Sequence, residues 1–153
     1  MSQTINITIS KTERFKSVES LLFKYGDAIE NAENYKQVFN AKAEHGADAV
    51  DNRVLSDSFD TRAKEAMELL RDFMEGEITH GTECNYSVQL SMPSRWIGRG
   101  TLLQSAVDRY VEDGMMNDWL NVTAPNEAAI YATRITQDET AINVELYKKG
   151  APQ

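Results

Sequence analysis

The feature that most constrains this chain is an unbroken alternation near its middle. Cys84, Tyr86, Val88, Leu90 and Met92 are apolar, and Asn85, Ser87, Gln89 and Ser91 between them are polar. Successive side chains of an extended strand point to opposite faces, so this spacing gathers the five apolar groups on one side. Pro93 lacks a backbone donor and stops the strand. Such a strand needs a partner along its edge and a layer over its apolar face. Ile5, Ile7 and Ile9, alternating with Thr4, Asn6, Thr8 and Ser10, offer the partner, and together the two predict a small antiparallel two-strand element.

The covering layer is written in a different period. Ser10-Lys11-Thr12-Glu13 fits a capping box, and Phe15, Val18, Leu21, Leu22, Tyr25 and Ile29 follow at helical spacing, predicting a helix over about 11 to 29. Phe59, Ala63, Ala66, Met67, Leu70, Phe73 and Met74 predict an amphipathic helix over about 58 to 75, ended by Gly76 and turned at Gly81. Leu102, Leu103, Ala106, Val107, Tyr110 and Val111 predict a third over about 99 to 113, extendable to Leu120, with a packed corner at 117 to 123. Pro125 suits the first turn of a fourth helix, which Ala128, Tyr131, Ala132, Ile135, Ile142 and Leu146 continue. Ile142, Val144 and Leu146 also alternate, so a terminal strand competes there; helix is the preferred reading. The expectation is an α+β domain, mainly helical, with about four helices.

Residues 30 to 57 are rich in Asn, Ala and acids, with Tyr35, Val38 and Phe39 as anchors before Val50, Val54 and Leu55. The plain reading is a short helix near 34 to 44 and a surface loop through His45-Gly46. The sharper one is a mobile arm that orders on a neighbouring subunit. The acids along 27 to 60, including Asp27, Glu30, Glu33, Glu44, Asp48, Asp51, Asp57 and Asp60, lack the ligand order of a calcium loop and read as a solvated face or one meeting a basic partner.

Charge and length exclude several classes of function. With 153 residues, 41% of them hydrophobic, the chain suits one domain, 1 to 153, with a sizeable core. Its 24 acids against 16 bases leave a net charge of −8, which disfavours broad attraction to nucleic acid or anionic membrane. The longest apolar run, Ala128 to Ala132, falls far short of the roughly 20 residues a bilayer span requires, and the N-terminal residues lack the pattern of a secretory signal. A single cysteine, Cys84, excludes an intrachain disulfide and makes a reducing compartment the default.

The chemistry-bearing clusters are sparse. His80-Gly81-Thr82-Glu83-Cys84 holds potential metal ligands, or a thiol with a histidine base, but too few partners for zinc and no group to orient the base; a turn and a core cysteine explain it better. Arg95-Trp96-Ile97-Gly98-Arg99-Gly100 sets two guanidiniums about an aromatic ahead of a helix, without the lysine of a phosphate-binding loop. Either Trp96 packs on the core while the arginines pair with acids, or the loop meets a partner chain. Met115, Met116, Trp119 and Leu120 are likewise a helix-end core cluster or a docking patch. The candidate partner interface is therefore Arg95, Trp96, Arg99, Met115, Met116, Trp119, Tyr35 and Phe39. No catalytic residue, metal or cofactor is assigned.

The run Tyr86-Ser-Val-Gln-Leu-Ser-Met-Pro93, the helix with Tyr110, Asp118-Trp119-Leu120-Asn121-Val122-Thr123, Tyr131 and the closing Leu146-Tyr147-Lys-Lys-Gly-Ala-Pro152 resemble small structural proteins of tailed phages and prophages of gut Bacteroidales. The resemblance covers residues 84 to 152 and rests on apolar positions and turns. It implies a non-enzymatic virion subunit, a head-tail connector, neck or tail adaptor protein that assembles in a ring in the host cytoplasm. Its partners would be copies of itself and neighbouring virion proteins. A small acidic cytosolic inhibitor that occupies a basic cleft is the alternative.

Overall fold

The computed structural model describes residues 3–28, 50–80, 85–123 and 125–150. Strands β1 (Gln3–Ile9), β2 (Met74–His80) and β3 (Tyr86–Met92) form an antiparallel sheet in the order β1-β3-β2. Ile5, Ile7 and Ile9 stand opposite Leu90, Val88 and Tyr86, so the two alternating segments share one buried face as their pattern requires.

The third strand corrects the two-strand expectation. Helix α2 (Val50–Leu69) stops sooner than its apolar repeat suggests: a 3₁₀ turn, Arg71–Phe73, follows, and Met74 opens β2. Phe73 and Met74 kept helical spacing by coincidence. The side chains of β2 are mostly exposed, so no alternation marks it, and backbone pairing to β3 holds it. Gly76, with φ of 84°, takes up the irregular register between Glu75 and Thr79, a conformation that other residues adopt at a cost.

α2 also begins earlier than predicted, at Val50, which turns residues 50–57 from loop into helix. The reading of a short helix at 34 to 44 falls outside the described residues. Helices α1 (Lys11–Ala28), α3 (Gly100–Thr123) and α4 (Pro125–Leu146) complete the layer over the sheet. Ser10 Oγ accepts from the Glu13 amide at 3.4 Å and Asn85 Oδ1 from the Lys11 amide at 3.1 Å, so two of the orphan donors at the start of α1 are met by side chains. The corner expected at 117 to 123 is the last turns of a continuous α3, and the strand alternative for 142–146 gives way to α4.

α3 and α4 form a long helical hairpin, each more than about 30 Å at 1.5 Å per residue. Leu103, Val107, Val111, Met115, Met116 and Leu120 of α3 are fully buried, joined by Ile142 and Leu146 of α4, Phe59 and Met67 of α2, Leu70 directly after it, and Leu90 and Met92 of β3. One continuous core results. No helix among the described residues is long and apolar enough to cross a membrane.

Candidate interaction surface

Residues 93 to 100 lead from β3 into α3, and the chain end after α4 is stapled to them. Trp96 and Lys149 form an antiparallel bridge; the Ile97 amide donates to the Lys148 carbonyl at 3.0 Å and the Gly150 amide to the Arg95 carbonyl at 2.7 Å. The indole of Trp96 lies inside, 4% exposed, and its Nε1–H donates to the Glu145 carbonyl at 2.8 Å. Gly98 sits against that indole so closely that a β-carbon would fall 2.5 Å from Nε1. Glu145, itself buried, accepts from the Arg99 amide at 2.7 Å, and its other oxygen lies 3.7 Å from Lys148 Nζ.

This staple concentrates positive charge at one corner of an acidic chain. Arg95, Arg99, Lys148 and Lys149 are exposed, and neither 93–100 nor 147–150 contains an acidic residue. Arg95 Nη2 donates to the Gly150 carbonyl at 2.9 Å, so its guanidinium is held on the corner without spending its charge on a carboxylate. Asp72 lies at the edge, accepting from the Tyr147 hydroxyl at 3.1 Å and pushing that phenol above its ordinary value through the hydrogen bond.

Two arginines elsewhere are engaged with acids of a neighbouring helix. Arg14 of α1 pairs with Glu112 of α3 and lies 3.8 Å from Asp108. Burial pushes both carboxyls above the usual carboxylate range against the pull of Arg14. Arg62 of α2 grips Asp118 of α3 with two bonds, Nη2 to Oδ1 at 2.7 Å and Nε to Oδ2 at 3.1 Å, and Ser58 donates to the same carboxylate. The hydrogen bond to Asp118 raises the guanidinium further above its ordinary value. Tyr110 donates to Glu65 at 3.0 Å, and burial first, then that bond, push its phenol up to about 12.

The outer side of α4 carries no charge. Ala129, Ile130, Thr133, Thr136, Gln137, Thr140 and Val144 point away from α3, with Ile130 51% and Val144 58% exposed. Thr133, Thr136 and Thr140 turn their hydroxyls back onto the carbonyls of Ala129, Ala132 and Thr136.

Of the eight residues predicted to meet a partner, the structure brings Arg95 and Arg99 together at the exposed corner. Trp96, Met115, Met116 and Trp119 are core residues, a correction to their reading as surface anchors: each is at most 4% exposed. Tyr35 and Phe39 lie outside the described residues. So does Cys84 with the turn before it; His80 is exposed at the end of β2 and stacks on Tyr86 with ring centres 4.5 Å apart. Among the described residues no group of three or more His, Cys, Asp or Glu is placed to hold a metal ion. Of the acidic stretch 27 to 60, Asp57 is exposed and Asp60 accepts from the Tyr86 hydroxyl at 3.0 Å.

The sequence reading missed Lys148 and Lys149 as members of the basic corner, because pairing of the chain end with 93–100 leaves no local signal. It also missed Arg62 and Asp118; Gly114, a glycine inside a helical run, was the mark of a close crossing there. The chain matches no known family model, no curated protein and no solved structure.

Proposed function

We propose that this chain is a virion building block that joins copies of itself and neighbouring virion proteins into a ring, as a head-tail connector, neck or tail adaptor subunit does. The observation that carries the assembly reading is the basic corner of Arg95, Arg99, Lys148 and Lys149 on a chain of net charge −8. A ring needs one patch to meet a different patch on the next copy. A cationic corner and an otherwise acidic surface are two such patches, attracting head to tail and repelling like to like. The uncharged outer side of α4 adds a face on which two acidic copies approach without repulsion. The virion setting rests on the resemblance of the second half of the chain to phage structural proteins.

Native mass spectrometry of the wild type and of the double variant Arg95→Glu, Arg99→Glu tests the reading. The wild type is expected to form a closed oligomer that the variant loses while keeping its helical circular dichroism. Raising salt from about 0.1 M to about 1 M, which shortens the screening length from about 10 Å to about 3 Å, weakens the oligomer in the same direction. A wild type that stays monomeric at high concentration, or an oligomer indifferent to the double reversal, overturns it. An acidic inhibitor would present its carboxylates to a basic cleft, so the same reversal would leave its binding intact.

A further inference from the structure

The α3–α4 hairpin encloses two facing carboxyls. Asp138 of α4 is 9% exposed, and its Oδ2 is shut away from solvent with no donor to meet it. Asp113 of α3, half-buried, is hydrogen-bonded to Asp138 across the hairpin. Two ionised carboxylates only accept, so a hydrogen bond between them requires one to keep its proton. The Asp113–Asp138 contact is therefore complete only when one of the two is a neutral acid that donates, and the burial of Asp138, with its Oδ2 unmet, leaves no solvent to take that place.

The surroundings favour that state. Burial first, then the hydrogen bond and the charge of Asp138, push the Asp113 carboxyl up to about 8. Glu112 beside it on α3 adds negative charge; Arg134 of α4 opposes, and lies 4.9 Å from the ring centre of Tyr131. Arg14 of α1 and Arg62 of α2 are engaged nearby, the first with Glu112 and the second with Asp118 and Glu65. Tyr131, raised by burial, stays neutral throughout the range concerned.

We propose that Asp113 and Asp138 form a proton-operated latch: one shared proton bonds α3 to α4, and its loss sets two carboxylates against each other across the hairpin. What the latch governs is the seating of α4. The last turn of that helix holds Trp96 through the Glu145 carbonyl, and the residues after it pair with 95–97. Deprotonation therefore loosens the hairpin and, through it, the basic corner. The latch does not depend on the assembly reading and stands or fails apart from it.

The sign follows from proton linkage. An unfolded aspartate loses its proton near about 4, whereas folded Asp113 keeps it until about 8, so the native state binds the extra proton between these values. Stability drains as pH rises through that window and levels off above it. One proton corresponds to a fall of at most about tenfold in the folding constant per pH unit.

Urea unfolding of the full chain from pH 5.5 to 9.5 tests this against Asp113→Asn, whose amide donates to Asp138 at every pH. The wild type is expected to weaken up to about pH 8 and then level, while the variant lacks that component and is the more stable protein at pH 8. Histidines titrate alike in both chains, so the difference between the curves isolates the pair. An identical pH slope in the two proteins overturns the latch. Residue-assigned carbon-13 NMR of the wild-type carboxyls needs no variant: a proton still held by Asp113 or Asp138 at pH 7 supports the latch, and full ionisation of both refutes it.

Discussion

Replacing Gly114 by alanine sets two effects of opposite sign against each other. In an ordinary helix interior the change stabilises by about 1 kcal/mol, since glycine loses more backbone freedom on folding. Here a β-carbon would lie 2.5 Å from Arg62 Cδ, 2.6 Å from Cγ and 2.7 Å from Nε. Those atoms are the middle of the side chain, pinned beyond by two hydrogen bonds to Asp118 and by Glu65 at 3.4 Å. Alanine must therefore push the arm off its carboxylate. Losing a charge-assisted pair costs about 1.5–3 kcal/mol, and the partial exposure of Asp118, 30% for its side chain, places the loss toward the lower end. Asp118 keeps Ser58 as a donor, which limits it further. The net expectation for Gly114→Ala is a destabilisation of about 1 kcal/mol, or a melting point lower by about 2–4 °C for a chain of this size. In an Arg62→Ala background the obstacle is gone, and the same substitution should stabilise by about 1 kcal/mol. Urea midpoints at constant slope measure both arms. If Gly114→Ala shifts the midpoint in the same direction in the two backgrounds, the glycine is not there for the arginine.

Gly98→Ala should be the costlier glycine change, by about 2 kcal/mol or more, because its β-carbon would meet the Glu145 carbonyl at 2.6 Å as well as the Trp96 ring, and backbone cannot swing aside; near-ultraviolet circular dichroism of the tryptophans should change with it. Trp96→Phe leaves the Glu145 carbonyl without its indole donor and should cost about 1–3 kcal/mol in denaturant unfolding. Arg14→Gln should destabilise by about 2 kcal/mol at pH 7, where it strands Asp108 and Glu112 as carboxylates. Both carboxyls are raised by burial, so acidification neutralises them before ordinary surface acids and the penalty should shrink towards pH 4; an equal penalty at both pH values would show that Arg14 acts by packing alone.

What was legible in the sequence is what repeats along it. The alternation of β3 and the isoleucines of β1 gave both strands, and the three-and-four spacing of Phe59, Ala63, Ala66 and Met67 gave the buried face of α2. Pro125 marked the start of α4. β2 escaped because a strand whose side chains are nearly all exposed is specified by its partner's backbone rather than by its own pattern. The aromatic and methionine residues escaped for a different reason. Trp96 carries a large apolar body and one donor, and that combination serves an interface or a core wall equally well. Only the position of the Glu145 carbonyl decides between them, and Glu145 lies 49 residues away along the chain. Asp113 and Asp138 were invisible on the same ground, each being an ordinary acid on a helix until the hairpin brings them together.

The placement of charge ties these observations into one argument. A chain with eight more acids than bases has little cation to spare, yet Arg14 of α1 and Arg62 of α2 each face two carboxylates. Arg95 and Arg99 are withheld from such pairing: one is held by a backbone carbonyl, the other has its amide, not its guanidinium, on Glu145. Trp96 between them is what fixes this, since its burial and its bond to Glu145 set the loop that carries both arginines outward. In the proposed assembly, the residue that looked like a contact to a partner thus acts one step earlier, as the peg that orients the two arginines. A variant that unseats Trp96 should lose assembly along with stability, whereas reversing the two arginines should lose assembly alone, and that separation distinguishes a built surface from a chance cluster of cations.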